Sequence, residues 1–118
     1  MKPIIKTIIS PDLADLDSYV PEEPDHFGFH LQLLIGPESE PGEESFEITV
    51  CSPRWLSTHY DNEAIILGAY HIIMMRYDYR RLMERIYSLV AHCESDNWSK
   101  IALKLARFSR WEFEDYVP

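Results

Sequence analysis

The sequence predicts an α+β domain, with an antiparallel sheet of about four strands and two C-terminal helices packed on one face. Three observations lead there. Apolar residues alternate with period two in the first half of the chain. Apolar spacings of three and four dominate after residue 78. Strands come before helices with no β–α–β alternation, which argues against a doubly wound parallel sheet. The 118 residues suit a single domain spanning 1–118, and a hydrophobic fraction of 46% can build a core without staples.

The elements follow in order. Lys2 to Ser10 contains Ile4, Ile5, Ile8 and Ile9 and reads as a strand rich in β-branched residues. Residues 11–25 hold three prolines and six acids and read as irregular. The three-residue spacing of Leu13, Leu16 and Tyr19 suggests a short turn pinned to the core. From His26 to Ile35 the residues Phe27, Phe29, Leu31, Leu33 and Ile35 form one apolar face. Gly36 to Glu44 is a loop by composition, and Phe46, Ile48 and Val50 continue the alternation, so an antiparallel hairpin is expected.

Pro53 is read as ending that strand, and residues 57–65 as a polar connection. The apolar run from Ala64 to Met75 suggests a fourth strand near 69–75, buried on more than one side. Asp78 is expected to cap a helix whose apolar face runs through Leu82, Ile86, Val90 and Cys93. Trp98, Ile101, Ala102, Leu105 and Phe108 mark a second helix, and a tail with Trp111, Phe113 and Tyr116 should pack back on the domain.

The net charge of −9 is unevenly placed. Residues 1–66 carry 13 acids and three bases (3 − 13 = −10), and residues 67–118 carry seven acids and eight bases (8 − 7 = +1). An acidic half repels nucleic acid and favours a basic partner. No apolar run is long enough to cross a bilayer. The opening Met1–Lys6 segment is too short and too soon charged for a secretory signal. With two distant cysteines, Cys51 and Cys93, the expectation is a cytoplasmic protein with free, buried thiols.

Catalytic chemistry finds little support. The four glycines form no phosphate-binding fingerprint. Both cysteines continue apolar patterns and read as small core residues. Paired carboxylates such as Glu22–Glu23 and Glu43–Glu44 read as solvated. His26 and His30 fall on one face of a strand and could reach one ion, although a polar solvent-facing pair is the better explanation. No cofactor, metal or catalytic residue is assigned, and the chain is not expected to be an enzyme.

Binding is better served. Glu38, Glu40, Glu43 and Glu44 sit on the hairpin tip, and Trp55, His59, Tyr60, Asp61 and Glu63 mix aromatic and acidic groups in the next connection. Aromatic anchors with acids suit a basic protein surface.

The order of motifs also resembles a known family. Ile9-Ser10-Pro11-Asp12-Leu13 leads to Tyr19-Val20-Pro21-Glu22-Glu23-Pro24-Asp25-His26-Phe27, and later to Val50-Cys51-Ser52-Pro53-Arg54-Trp55-Leu56. Tyr77-Asp78-Tyr79, Trp98 and the ending Trp111-Glu112-Phe113-Glu114-Asp115-Tyr116 complete a pattern similar to immunity protein family eight of bacterial polymorphic toxin and contact-dependent growth inhibition systems. The resemblance implies an antidote that binds the C-terminal toxic domain of a cognate effector, often a basic nuclease, and covers its active site. Two rival readings remain at this level: a small metal-binding enzyme or regulator using His26 and His30, and an adaptor that self-associates through a sheet edge.

Overall fold

A computed structural model describes residues 1–114. The elements are β1 (Pro3–Ile9), β2 (Gly28–Pro37), β3 (Glu44–Cys51), α1 (Pro53–His59), β4 (His71–Ile73), α2 (Tyr79–Ala91), α3 (Trp98–Leu105) and β5 (Arg110–Trp111). The fold is α+β. The described strands form one sheet in the order β1-β2-β3-β4, with β5 paired to part of β3.

The hairpin of β2 and β3 is antiparallel, with Phe29 opposite Val50 and Leu33 opposite Phe46. Alternation sends Phe29, Leu31, Leu33 and Ile35 of β2, and Phe46, Ile48 and Val50 of β3, to one face, where each is 0–1% exposed. That face meets Leu82, Ile86 and Val90 of α2 and Ile101, Ala102 and Leu105 of α3. β1 joins the other side of β2 and slips register between Ile5 and Thr7, a bulge at Lys6.

Both C-terminal helices begin as the sequence indicates. The Asp78 side chain accepts a hydrogen bond from the Arg81 N–H at 3.1 Å, and Asn97 accepts one from the Lys100 N–H at 2.9 Å. Each therefore satisfies a donor that the first helical turn cannot. The 11–25 segment forms no helix, but Leu13, Leu16 and Tyr19 pack on the core, with Tyr19 edge-on to Phe29 at 5.4 Å.

Three features go beyond the sequence reading. Pro53 does not only end β3; it also starts α1. Ser52 accepts from the Trp55 N–H at 3.2 Å, and Pro53 occupies the first helical turn, where its missing N–H costs nothing. β4 runs parallel to β3 along its last three residues, because α1 and the loop after it carry the chain back to the level of Thr49 before it pairs. The tail forms β5, and Trp111 stacks on Phe46 with ring centroids 6.4 Å apart.

The 64–75 stretch departs from expectation. Only His71–Ile73 pair with β3, at the sheet edge, so this strand is not buried on two sides. Ile65 and Leu67 lie in the preceding loop, 79% and 83% exposed. Cys51 and Cys93 are buried free thiols. Asp115 and Tyr116, named in the sequence pattern, lie outside the described residues. No described helix is long and apolar enough to cross a membrane.

Candidate partner-binding surface

The sheet has two unlike faces. One is sealed by α2 and α3. The other presents Gly28, His30, Gln32, Leu34 and Gly36 from β2, and Ser45, Glu47 and Thr49 from β3, all with the opposite parity to the core residues. Among the described residues, its ends are the parts seen to be covered, at Gly28 and Gly36.

At one end stands α1. A Cβ added to Gly28 would lie 2.0 Å from the Trp55 ring, so the indole rests directly on the backbone of β2. Glycine is required there for close approach. Trp55 also stacks on His59, with centroids 4.2 Å apart, and Tyr60 meets both rings edge-on. Spacings of four and five on a short helix and its cap bring these three aromatics together. Asp61 and Glu63 follow in the exposed loop. Behind the cluster Arg54 is engaged by Glu23 and, at 3.3 Å, by Asp25.

At the other end stands the hairpin tip. A Cβ on Gly36 would lie 2.0 Å from the Gly42 carbonyl oxygen, so the loop folds back over this same face. Gly42 takes φ +103°, a conformation that favours glycine. The Lys6 ammonium donates to the carbonyls of Glu40 and Gly42, both at 2.8 Å, and pins the loop to the β1 bulge. Glu38, Glu40 and Glu43 remain exposed.

Glu44 is different. Its carboxylate accepts hydrogen bonds from the indole N–H groups of Trp98 at 2.7 Å and Trp111 at 3.1 Å. It is half-buried and ties α3 and β5 to the start of β3. The sequence grouped it with three exposed neighbours because a glutamate run carries no sign of which member turns inward.

The structure does not bring the two expected segments together. They sit at opposite ends of β3, separated by about 24 Å for an eight-residue strand. Two exposed apolar side chains of the Ala64–Met75 run, Ile65 and Leu67, lie ahead of the strand expected near 69–75 and directly follow Asp61 and Glu63. Gly68 inside the run was the available sign of a loop.

The histidines do not form a joint site. His26 precedes β2 in a turn, where its Nδ1 lies 3.7 Å from a Glu23 carboxylate oxygen. His30 is held by Asp12, whose carboxylate lies 2.8 Å from the ring Nδ1 and accepts the His30 backbone N–H at 2.7 Å. That backbone hydrogen bond, with help from the ring, keeps the Asp12 carboxyl below its ordinary range despite some opposing burial. Among the described residues, no group of three or more His, Cys, Asp or Glu is arranged to hold a metal ion. Burial pushes the Cys51 thiol up to about 11, and burial also raises Cys93 against the opposing charges of Arg107 and Lys104. Neither is placed as a reactive thiolate.

These features define an α+β domain with one sealed sheet face and one open face framed by an aromatic helix and an acidic loop. The chain belongs to the Immunity protein 8 family, whose model matches residues 4–116. Comparison with curated proteins gave no match, and comparison with solved structures gave none either.

Proposed function

We propose that this protein neutralises a toxin by binding it, and that its partner is the C-terminal toxic domain of a cognate polymorphic or contact-dependent effector. Family membership carries the reading. The charge distribution extends it to a basic toxin domain, such as a nuclease. Glu38, Glu40 and Glu43 crowd one end of the open face, and Asp61 and Glu63 lie beside the aromatics at the other. The exposed surface of α2 instead carries Arg80, Arg81 and Arg85. A cationic active site is attracted to the first surface and repelled by the second.

Neutralisation in this reading is occlusion. The antidote contributes no chemistry, and its two acidic ends stand in for the phosphates that a nuclease would bind. Trp55, His59 and Tyr60 supply rigid aromatic area at low entropic cost. The protein acts in the cytoplasm, where its buried free thiols remain reduced.

Co-expression tests the reading. The C-terminal domain of the effector encoded beside this gene is produced with and without the protein. Growth arrest relieved by the protein, together with a one-to-one complex, is the expected result. Unrelieved toxicity with no complex would remove the function. Replacing Glu38, Glu40 and Glu43 by lysine should slow association at least tenfold at low salt, and an unchanged association rate would remove the loop from the contact surface.

A further inference from the structure

We infer that the uncovered sheet face between the acidic loop and α1 is the floor of the binding surface, and that it receives a basic protrusion of the toxin. The inference rests on the toxin-neutralising reading and specifies where the partner sits.

The two glycines set the geometry. Gly28 and Gly36 lie on the same face of β2, eight residues apart, and both are roofed: Gly28 by the Trp55 ring, Gly36 by the Gly42 carbonyl. The chain thus rises above the sheet at both ends of one strand, and among the described residues the middle is left bare. The span between them is about 26 Å at the rise of a strand. A standard interface of about 800 Å² per partner is roughly 30 Å across. One toxin surface touching both ends must therefore lie over the residues between, chiefly His30, Gln32 and Leu34 on β2 and Glu47 and Thr49 on β3.

A third side is raised along the outer edge of β3. The Tyr70 hydroxyl donates to the Glu114 carboxylate at 2.7 and 2.8 Å, and the Arg110 guanidinium lies 6.0 Å from the Tyr70 ring centre. Tyr70 takes φ +64°, a left-handed conformation uncommon for a tyrosine. Two shallow hollows of about 320 and 300 Å³ flank Glu47 here, one toward Glu112 and Glu114, the other toward His30 and His71. The floor is thus a tray rimmed on three sides.

Charge selects its occupant. Glu38, Glu40 and Glu43 stand at one end, Asp61 and Glu63 at the other, and Glu47 in the middle. Of the nearby cations, the Lys6 ammonium is bonded to two carbonyls, Arg54 is engaged by Glu23 and Asp25, and Arg110 stands across from Glu47 and lines both hollows beside it, so the field is set chiefly by the acids at the two ends. A cationic protrusion on the partner matches this field. The larger groove of about 950 Å³ between β1 and α2 fits it less well. The β1 edge is bulged there, and a hydrogen bond from the Tyr79 hydroxyl to Asp17 at 2.6 Å links its walls.

The experiment uses the full chain and the toxin domain of the adjacent effector. Wild-type binding is measured first, and absence of a complex would overturn both the toxin-binding reading and this surface. Given a complex, Glu47→Arg and His30→Arg are compared with Tyr87→Arg, which places a charge on the β1–α2 groove instead. His30→Arg leaves a side-chain donor for Asp12. Each floor variant should weaken binding at least tenfold, and Tyr87→Arg less than twofold. Floor variants that bind like wild type while Tyr87→Arg loses binding would overturn the inference. Hydroxyl-radical footprinting of the wild-type complex is independent of variant folding. Protection of Trp55 and His30, with Met83 and Tyr87 still reactive, is the expected pattern, and the reverse would also overturn it.

Discussion

Replacing Glu44 by alanine removes a hub rather than a binding charge. Its carboxylate holds the indoles of Trp98 and Trp111 at 2.7 and 3.1 Å, and both rings pack near Phe46 in the core. Hydrogen bonds to a charged acceptor contribute about 1.5–3 kcal/mol each when desolvated. Partial exposure brings each nearer to about 1–1.5, so Glu44→Ala should cost about 2–3 kcal/mol. In a domain of this size that corresponds to a fall in Tm of about 6–15 °C. Glu44→Gln keeps one acceptor but loses the charge, and should cost about half as much. Thermal unfolding followed by tryptophan fluorescence reports directly on the two indoles. At a temperature where the variant is fully folded, its toxin affinity should stay within a few-fold of wild type, unlike a variant of Glu38, Glu40 and Glu43. A Glu44→Ala melt within 2 °C of wild type, combined with lost toxin binding, would refute the reasoning. It would show the carboxylate facing the partner, as the sequence alone suggests.

Three further perturbations probe other parts of the account. Gly28→Ala drives a methyl into the Trp55 ring at 2.0 Å, so α1 must shift; toxin affinity should fall at least tenfold while the melt changes by only about 1–3 kcal/mol, and unchanged affinity would show that the placement of Trp55 does not matter. Cys51, with its thiol raised to about 11, and buried Cys93 should resist a thiol reagent at pH 7.5 in the folded protein, and both should react on denaturation; rapid native labelling would contradict the packing around them. Asp12 has a folded pKa below its unfolded value of about 3.8, so its stabilisation is present at neutral pH and is lost as pH falls through the folded value. Asp12→Asn should therefore be less stable than wild type at pH 7, by under about 1 kcal/mol given its exposure, and the gap should shrink by pH 3; a gap that grows on acidification would reverse the assigned sign.

The core was legible because its signals are periodic. Phe27 to Ile35 and Phe46 to Val50 put an apolar residue at every second position, and Leu82, Ile86 and Val90 keep helical spacing, so this buried set follows from sequence. The cap at Asp78 was legible from its place just ahead of the helical spacing. What escaped depends on partners distant in sequence. Ser52–Pro53 signals a helix start as well as a strand end, and only the Ser52 contacts with Phe27 and Trp55 decide between them. The parallel pairing of β4 depends on where α1 returns the chain. For the strand near 69–75, hydrophobicity suggested burial on more than one side, but edge pairing of only three residues leaves Ile73 and Met75 exposed. In the site, the acids and aromatics were visible as composition. Their separation by the length of β3, the inward turn of Glu44 and the bare floor between them required the register of the sheet.

Calorimetric titration of this protein with the C-terminal domain of the neighbouring effector, at about 50 and 300 mM salt, tests the central claim most directly. The account expects a one-to-one complex whose affinity falls at least tenfold between the two salts, because acids on the open face meet a basic toxin surface. No binding at either salt would contradict the antidote reading, and equal affinity at both would contradict the electrostatic surface on which it is built.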